Sequence, residues 1–134
     1  MKTLVKIKLV NWHIFQDNTI PLKDNTLIFG ENGSGKSTLI DAIHYVIDGG
    51  KDVKFNTAVN LQGSSISKRT VESYIRLKTG VEGKEYVRNG DVVSHIALEF
   101  YDEVSKKSSV IGVVLELANG EHKEKSTFYH VINS

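Results

Sequence analysis

The stretch Asn25-Thr26-Leu27-Ile28-Phe29-Gly30-Glu31-Asn32-Gly33-Ser34-Gly35-Lys36-Ser37-Thr38-Leu39-Ile40 decides how this chain is read. It opens with a short apolar run, passes through glycines at 30, 33 and 35, and closes on residues that suit a helix. The spacing is Gly, four residues, then Gly-Lys-Ser, the P-loop pattern. Glycine lets the backbone curl tightly and approach phosphate oxygens closely. The curl turns several N–H groups into one anion-binding nest. A helix opening near Lys36 adds the positive end of its dipole. Glu31, Asn32, Gly33, Ser34, Gly35, Lys36, Ser37 and Thr38 are therefore the expected phosphate-binding residues. Lys36 is expected to reach the β- and γ-phosphates, Ser37 to place its hydroxyl on Mg²⁺, and Thr38 to lie on the α-phosphate side.

Two other readings of these glycines are poorer. A glycine-rich turn with no ligand would lack the apolar strand before it and the helix after it. A dinucleotide fingerprint needs a third glycine, and Gly33 and Gly35 are followed instead by Thr38. No Asn-Lys-x-Asp string for guanine occurs, so ATP with Mg²⁺ is the expected ligand rather than GTP.

Upstream, residues 2–9 alternate, with Thr3, Val5, Ile7 and Leu9 on one side and Lys2, Lys6 and Lys8 on the other, as in a half-buried strand. Asn11-Trp12-His13-Ile14-Phe15 bends into a short polar stretch at residues 16–19, and Pro21 places the next short strand at a sheet edge. Trp12 and Phe15 read as core. Downstream of the P-loop, Leu39, Ile43, Val46 and Ile47 recur at helical spacing until Gly49-Gly50 stops the helix. Residues 51–66 carry no period and read as a surface loop. A shorter helix is expected over residues 70–78, with Val71, Tyr74 and Ile75 inward and Gly80 as its stop.

The last third changes character. Residues 84–88 read as a strand, turned at Asn89-Gly90 into a second strand over 92–101 with Val92, Ile96, Leu98 and Phe100 on one face. A valine-rich strand at 110–118 turns at Asn119-Gly120 into a strand at 126–132. Residues 84–132 thus read as an antiparallel meander. The fold class expected is α/β: a P-loop NTPase lobe over residues 1–83, with the meander over 84–134, in one partial domain.

Bulk properties fit an ordinary globular domain. The 134 residues are 40% hydrophobic and 25% charged, with a net charge of +1, so any contact with DNA must rest on a local patch. No apolar run is long enough to span a bilayer, and the N-terminus lacks a signal-peptide core. With no cysteine, disulfides and thiolate metal sites are excluded. A cytoplasmic location is the expectation.

Hydrolysis needs a second carboxylate on the metal and a group to position water. The one candidate, Ile96-Ala97-Leu98-Glu99-Phe100-Tyr101-Asp102-Glu103, alternates apolar and polar like a half-exposed antiparallel strand, so Asp102 and Glu103 read as strand-end and turn acids. No catalytic residue is assigned. Leu61-Gln62-Gly63-Ser64-Ser65 lacks the second glycine of an ABC signature and reads as loop.

The wording Gly30-Glu31-Asn32-Gly33-Ser34-Gly35-Lys36-Ser37-Thr38, preceded by Asn11-Trp12-His13-Ile14-Phe15, resembles the N-terminal part of the ABC-type heads of SMC-like ATPases. Leu39-Ile40-Asp41-Ala42-Ile43, Lys68-Arg69, Ser73-Tyr74-Ile75-Arg76, Tyr86-Val87-Arg88 and Ser94-His95-Ile96-Ala97-Leu98-Glu99-Phe100 narrow the likeness to MukB-like chains and the JetC-type SMC-like subunit of Wadjet plasmid-defence systems. The resemblance implies a coiled coil and a C-terminal head segment carrying the signature and second acidic motif. It also implies ATP sandwiched between two heads, accessory subunits and DNA. The chain ending at Ser134 directly after a strand reads, in that light, as half of an ATPase site. The competing functions are a stand-alone P-loop kinase or small NTPase, and a non-catalytic P-loop remnant.

The remaining polar residues admit two readings each. Gln62 is a metal- or water-contacting glutamine or a loop residue. Lys51 and Lys54 are nucleotide-proximal or solvated. Lys68, Arg69, Arg76 and Lys78 meet DNA phosphates or form a solvated helix face. The five histidines show no metal-ligand spacing and read as surface or strand residues.

Overall fold

A computed structural model of the chain describes residues 2–22, 34–50 and 70–133. Within them lie strands β1 (Lys2–Trp12) and β2 (Phe15–Pro21), helices α1 (Ser34–Ile47) and α2 (Val71–Arg76), and strands β3 (Lys78–Val81), β4 (Lys84–Tyr86), β5 (Val92–Asp102), β6 (Lys107–Leu117) and β7 (Lys125–Asn133). Five strands form one sheet in the order β2-β1-β5-β6-β7, and β3 and β4 form a separate ribbon. Every described pairing is antiparallel. The helices and antiparallel sheet are consistent with a P-loop NTPase. The apolar strand expected at residues 25–29 lies outside the described residues, as do the expected loop at 51–66, Gln62, Lys51, Lys54, Lys68 and Arg69.

Alternation builds the sheet. In β5, Val92, Ser94, Ile96 and Leu98 are buried while Val93 is exposed, and in β6 Val113, Leu115 and Leu117 are buried. The register sets Ile96 opposite Val113 and Ser94 opposite Leu115, so these residues share one face. Ile7 and Leu9 of β1 extend it, and Leu39, Ala42, Tyr45 and Val46 of α1 close over it with Tyr74 and Ile75 of α2. Truncating a fully buried member such as Leu98 to alanine costs about 2–5 kcal/mol. The expected meander is present as β5-β6-β7. The P-loop part and the meander share the one sheet, because β1 pairs with β5 from Lys2 to Val10.

Several local expectations are corrected. The polar run at 16–19 is strand: β2 pairs with β1 from Phe15 to Pro21 at the sheet edge, where polar side chains stay wet. The alternation at 3–9 breaks, because the β1–β5 register shifts between Leu4 and Lys6 and Leu4 packs on the core. Of the expected inward face of α1, Leu39 and Val46 are buried and Ile43 packs on the core, but Ile47 is 58% exposed, and Thr38, Asp41, Ala42 and Tyr45 are buried as well. Gly49-Gly50 does stop α1: Gly50 N–H bonds Tyr45 C=O and Gly49 N–H bonds Val46 C=O, a Schellman closure with both glycines at positive φ.

Gly80 does not end α2. That helix opens on a reciprocal capping box between Thr70 and Ser73 and ends at Leu77, and Gly80 lies in β3. The strand at 84–86 does not pair with β5 through Asn89-Gly90. It folds back on β3 across Glu82-Gly83, with Gly83 at φ 84°, and residues 87–91 cross to the main sheet. Asn119-Gly120 does turn the chain, closed by Glu121 N–H to Ala118 C=O, but β7 resumes only at Lys125.

Candidate nucleotide site

Helix α1 begins at Ser34, inside the P-loop motif, where phosphate binding calls for a helix N-terminus. Its first turn holds no carboxylate, leaving the positive end of the dipole uncompensated. Of the expected phosphate-binding residues, Glu31, Asn32 and Gly33 lie outside the described residues, as do the side chains of Ser34, Gly35 and Lys36. Ser37, the expected Mg²⁺ ligand, is half-buried. Thr38 is fully buried, with its hydroxyl oxygen 3.3 Å from Nδ1 of His13.

The N-terminal end of α1 is clipped at Thr38 to the β1–β2 turn. Trp12 Nε1–H donates to Thr38 C=O at 3.2 Å. His13, at φ 53°, stands in that turn, and its backbone N–H donates to Tyr74 C=O at 2.6 Å. Tyr74 is the hub beneath. Its ring packs on Trp12 at 4.6 Å between centroids and edge-on to His13 at 5.4 Å, and its hydroxyl donates to the carboxylate of Asp41. Asp41 is 1% exposed, so this hydrogen bond offsets part of the desolvation of a buried acid. Farther along α1, the Tyr45 hydroxyl donates to Glu124 at 2.9 Å, and burial pushes its pKa up to about 12.

Two arginines complete the frame. Arg88 donates to the carbonyls of Ile75, His13 and Phe15, joining α2 to the β1–β2 turn. Arg76 is 4% exposed and donates to the carbonyls of Arg88 and Ala118, with Glu72 4.0 Å from its Nε. That correction removes Arg76 from a DNA-facing surface: it is a buried structural cation. Lys78 remains exposed.

The histidines separate by environment. His44, His122 and His130 are exposed, and His122 lies 3.0 Å from Glu72. His95 lies in β5 and His13 at the site. Sequence reasoning missed His13, Asp41, Tyr74 and Arg88. The available signal was the aromatic-rich turn 11–15 immediately before a P-loop strand. Among the described residues no group of three or more acids and histidines is placed to hold a metal ion.

Asp102 sits far from this site. It pairs with Lys2 and Lys107 at one end of the sheet, while Trp12 meets Thr38 at the other end of β1. The ten steps of β1 from Lys2 to Trp12, at about 3.3 Å each, separate them by roughly 33 Å along the strand. The Asp102 carboxylate accepts Val104 N–H, and this bond holds its pKa below the usual carboxylate range. It is a turn acid.

Comparison with known proteins agrees with the motif. Residues 4–62 match the family described as the P-loop containing region of AAA domain. The chain is 31% identical over 93 residues to the DNA replication and repair protein RecF of Carboxydothermus hydrogenoformans, covering 63% of this chain and 26% of that protein. It is 25% identical over 126 residues to Structural maintenance of chromosomes protein 1 of Schizosaccharomyces pombe, covering 92% of this chain and 8% of that protein. The chain thus spans about a quarter or less of these relatives. No helix among the described residues is long and apolar enough to cross a membrane. Residues 4–62 carry a P-loop region, and the chain that contains them is similar to RecF- and SMC-type proteins.

Proposed function

We propose that this chain binds ATP with Mg²⁺ through its P-loop, as the N-terminal lobe of an SMC- or RecF-like ATPase head that acts on DNA. The observation that carries the reading is that α1 starts inside Gly-Glu-Asn-Gly-Ser-Gly-Lys-Ser, with an acid-free first turn, and is held at Thr38 against the β1–β2 turn. The donor set suits the ligand. Lys36 offers a compact cation, Ser37 a hydroxyl for Mg²⁺, and residues 31–38 a run of backbone N–H groups. Bound Mg²⁺-ATP would supply the phosphoryl group. The chain's own part is to bind and orient it.

Hydrolysis is proposed to require a C-terminal head segment and a second head, because Asp102, the acid weighed for the metal, lies about 33 Å away along the sheet. The finer assignment is a MukB-like or Wadjet JetC-type subunit, working with accessory subunits in the cytoplasm. It rests on the quoted strings from Leu39 to Phe100. A fluorescent ATP analogue titrated with and without Mg²⁺ tests the core of the proposal. Lys36→Ala should weaken binding at least tenfold, which is about 1.4 kcal/mol. Equal affinity in that variant rejects the P-loop assignment, and robust turnover by the isolated chain rejects the half-site.

A further inference from the structure

A cleft of about 460 Å³ opens between the β1–β2 hairpin and the segment that leads into β5. Its lining includes Arg88, Asn11, Gln16, Val87, Asn89 and Asp91. Arg88 is the unusual member. Its guanidinium is half-buried and fixed by three backbone carbonyls, yet it forms no ion pair among the described residues. Burial lowers its pKa with no carboxylate to offset the cost. Of its five N–H donors, Nε–H and one Nη1 hydrogen are uncommitted. Asp91 lines the same cleft, but its Oδ1 accepts Asn119 N–H at 2.8 Å. Gln16 is exposed, and its amide can donate as well.

We infer that this cleft binds a carboxylate, with Arg88 as the charge partner and Gln16 as a second donor. A carboxylate suits the site better than a phosphate. Asp91 already stands in the lining, and it repels a dianion about twice as strongly as a single carboxylate, which a guanidinium fork can still pair. The carbonyl contacts hold the Arg88 fork in place before any ligand arrives, which lowers the ordering cost of binding. None of the lining residues belongs to the P-loop motif, and the inference does not rest on ATP binding.

The test follows the Arg88 Nε–H signal in NMR spectra of the ¹⁵N-labelled full chain, with sodium acetate, capped glutamate (N-acetyl, α-amide) and inorganic phosphate as probes. Acetate should shift the signal saturably, with a dissociation constant on the order of 1–10 mM. Capped glutamate binding more tightly than acetate supports the site with a protein side chain as its occupant. Acetate binding as tightly supports it with a free small carboxylate. Gln16→Trp fills the cleft from an exposed strand position, so the fold survives and acetate affinity should fall at least tenfold. No saturable shift up to about 100 mM acetate, phosphate binding more tightly than acetate, or unchanged affinity in Gln16→Trp overturns the proposal. Arg88→Lys, which loses the fixed fork, identifies the signal and is checked for folding by its thermal melt.

Discussion

The hydroxyl of Thr38 lies 3.3 Å from the ring of His13, and the carbonyl of the same His13 accepts from Arg88. A single turn residue therefore joins Thr38, near the start of the P-loop helix, to the arginine that braces α2. In the proposed nucleotide site His13 serves as a positioning residue, through its contact with Thr38. Its backbone bond to Tyr74 survives any substitution that keeps the turn.

His13→Ala should accordingly leave the chain folded but loosen the seat of α1. A lost hydrogen bond of this kind is worth about 1 kcal/mol, or roughly fivefold in nucleotide affinity. Parallel ATP-analogue titrations and thermal melts separate the effects. A lowered melting temperature with unchanged affinity would show that the contact serves stability alone.

Tyr74→Phe removes the hydroxyl that donates to buried Asp41 while keeping the ring against Trp12. The cost should be about 1–3 kcal/mol, because a buried carboxylate loses a donor. Urea unfolding measures it. Asp41→Asn in the Tyr74→Phe background should recover part of the loss, since a neutral amide is cheaper to bury. An unchanged midpoint in Tyr74→Phe would mean that the other partners of Asp41 satisfy it fully.

Legibility in the sequence followed the physics of each element. The helix after the P-loop motif, the Schellman glycines and the β5-β6-β7 alternation are local patterns, and each appears at or near its expected place. Asn89-Gly90 misled because the pattern names a bend and not a partner. Long-range bonds from Arg76 and Arg88 draw residues 87–91 across to the main sheet instead of into a hairpin. The polar start of β2, residues 16–19, was hidden because an edge strand can keep polar side chains on both sides. His13 meets Thr38, and Asp41 meets Tyr74, only in three dimensions, at separations of 25 and 33 residues, so no local spacing reveals them.

Gly112 explains itself through a neighbour across the strand. A Cβ there would stand 2.5 Å from the Tyr129 hydroxyl and 2.7 Å from the Ile96 carbonyl oxygen. The bare glycine lets Tyr129 lie across β6 to reach His95 on β5. Gly112→Ala should therefore destabilise by about 1–3 kcal/mol through overpacking. Gly112→Ala with Tyr129→Leu should cost less than Gly112→Ala alone. Equal costs with and without the Tyr129 ring would place the strain at the Ile96 backbone.

His95 makes stability depend on mild acid. Its Nε2 is 2.5 Å from the Tyr129 hydroxyl, and burial, with the Lys8 charge added, lowers its pKa below the ordinary histidine value. The native ring is therefore neutral and accepts from Tyr129. As pH falls below about 6.5, the unfolded chain takes up this proton before the native state does. The unfolded state then binds more protons, so stability present above that pH is lost on acidification through the window below it. Urea midpoints compared at neutral pH and near pH 5 should show the loss in the parent. His95→Gln keeps a hydrogen-bonding group without a titrating ring, so its two midpoints should lie closer together. An identical pH dependence in His95→Gln would assign the effect to another group.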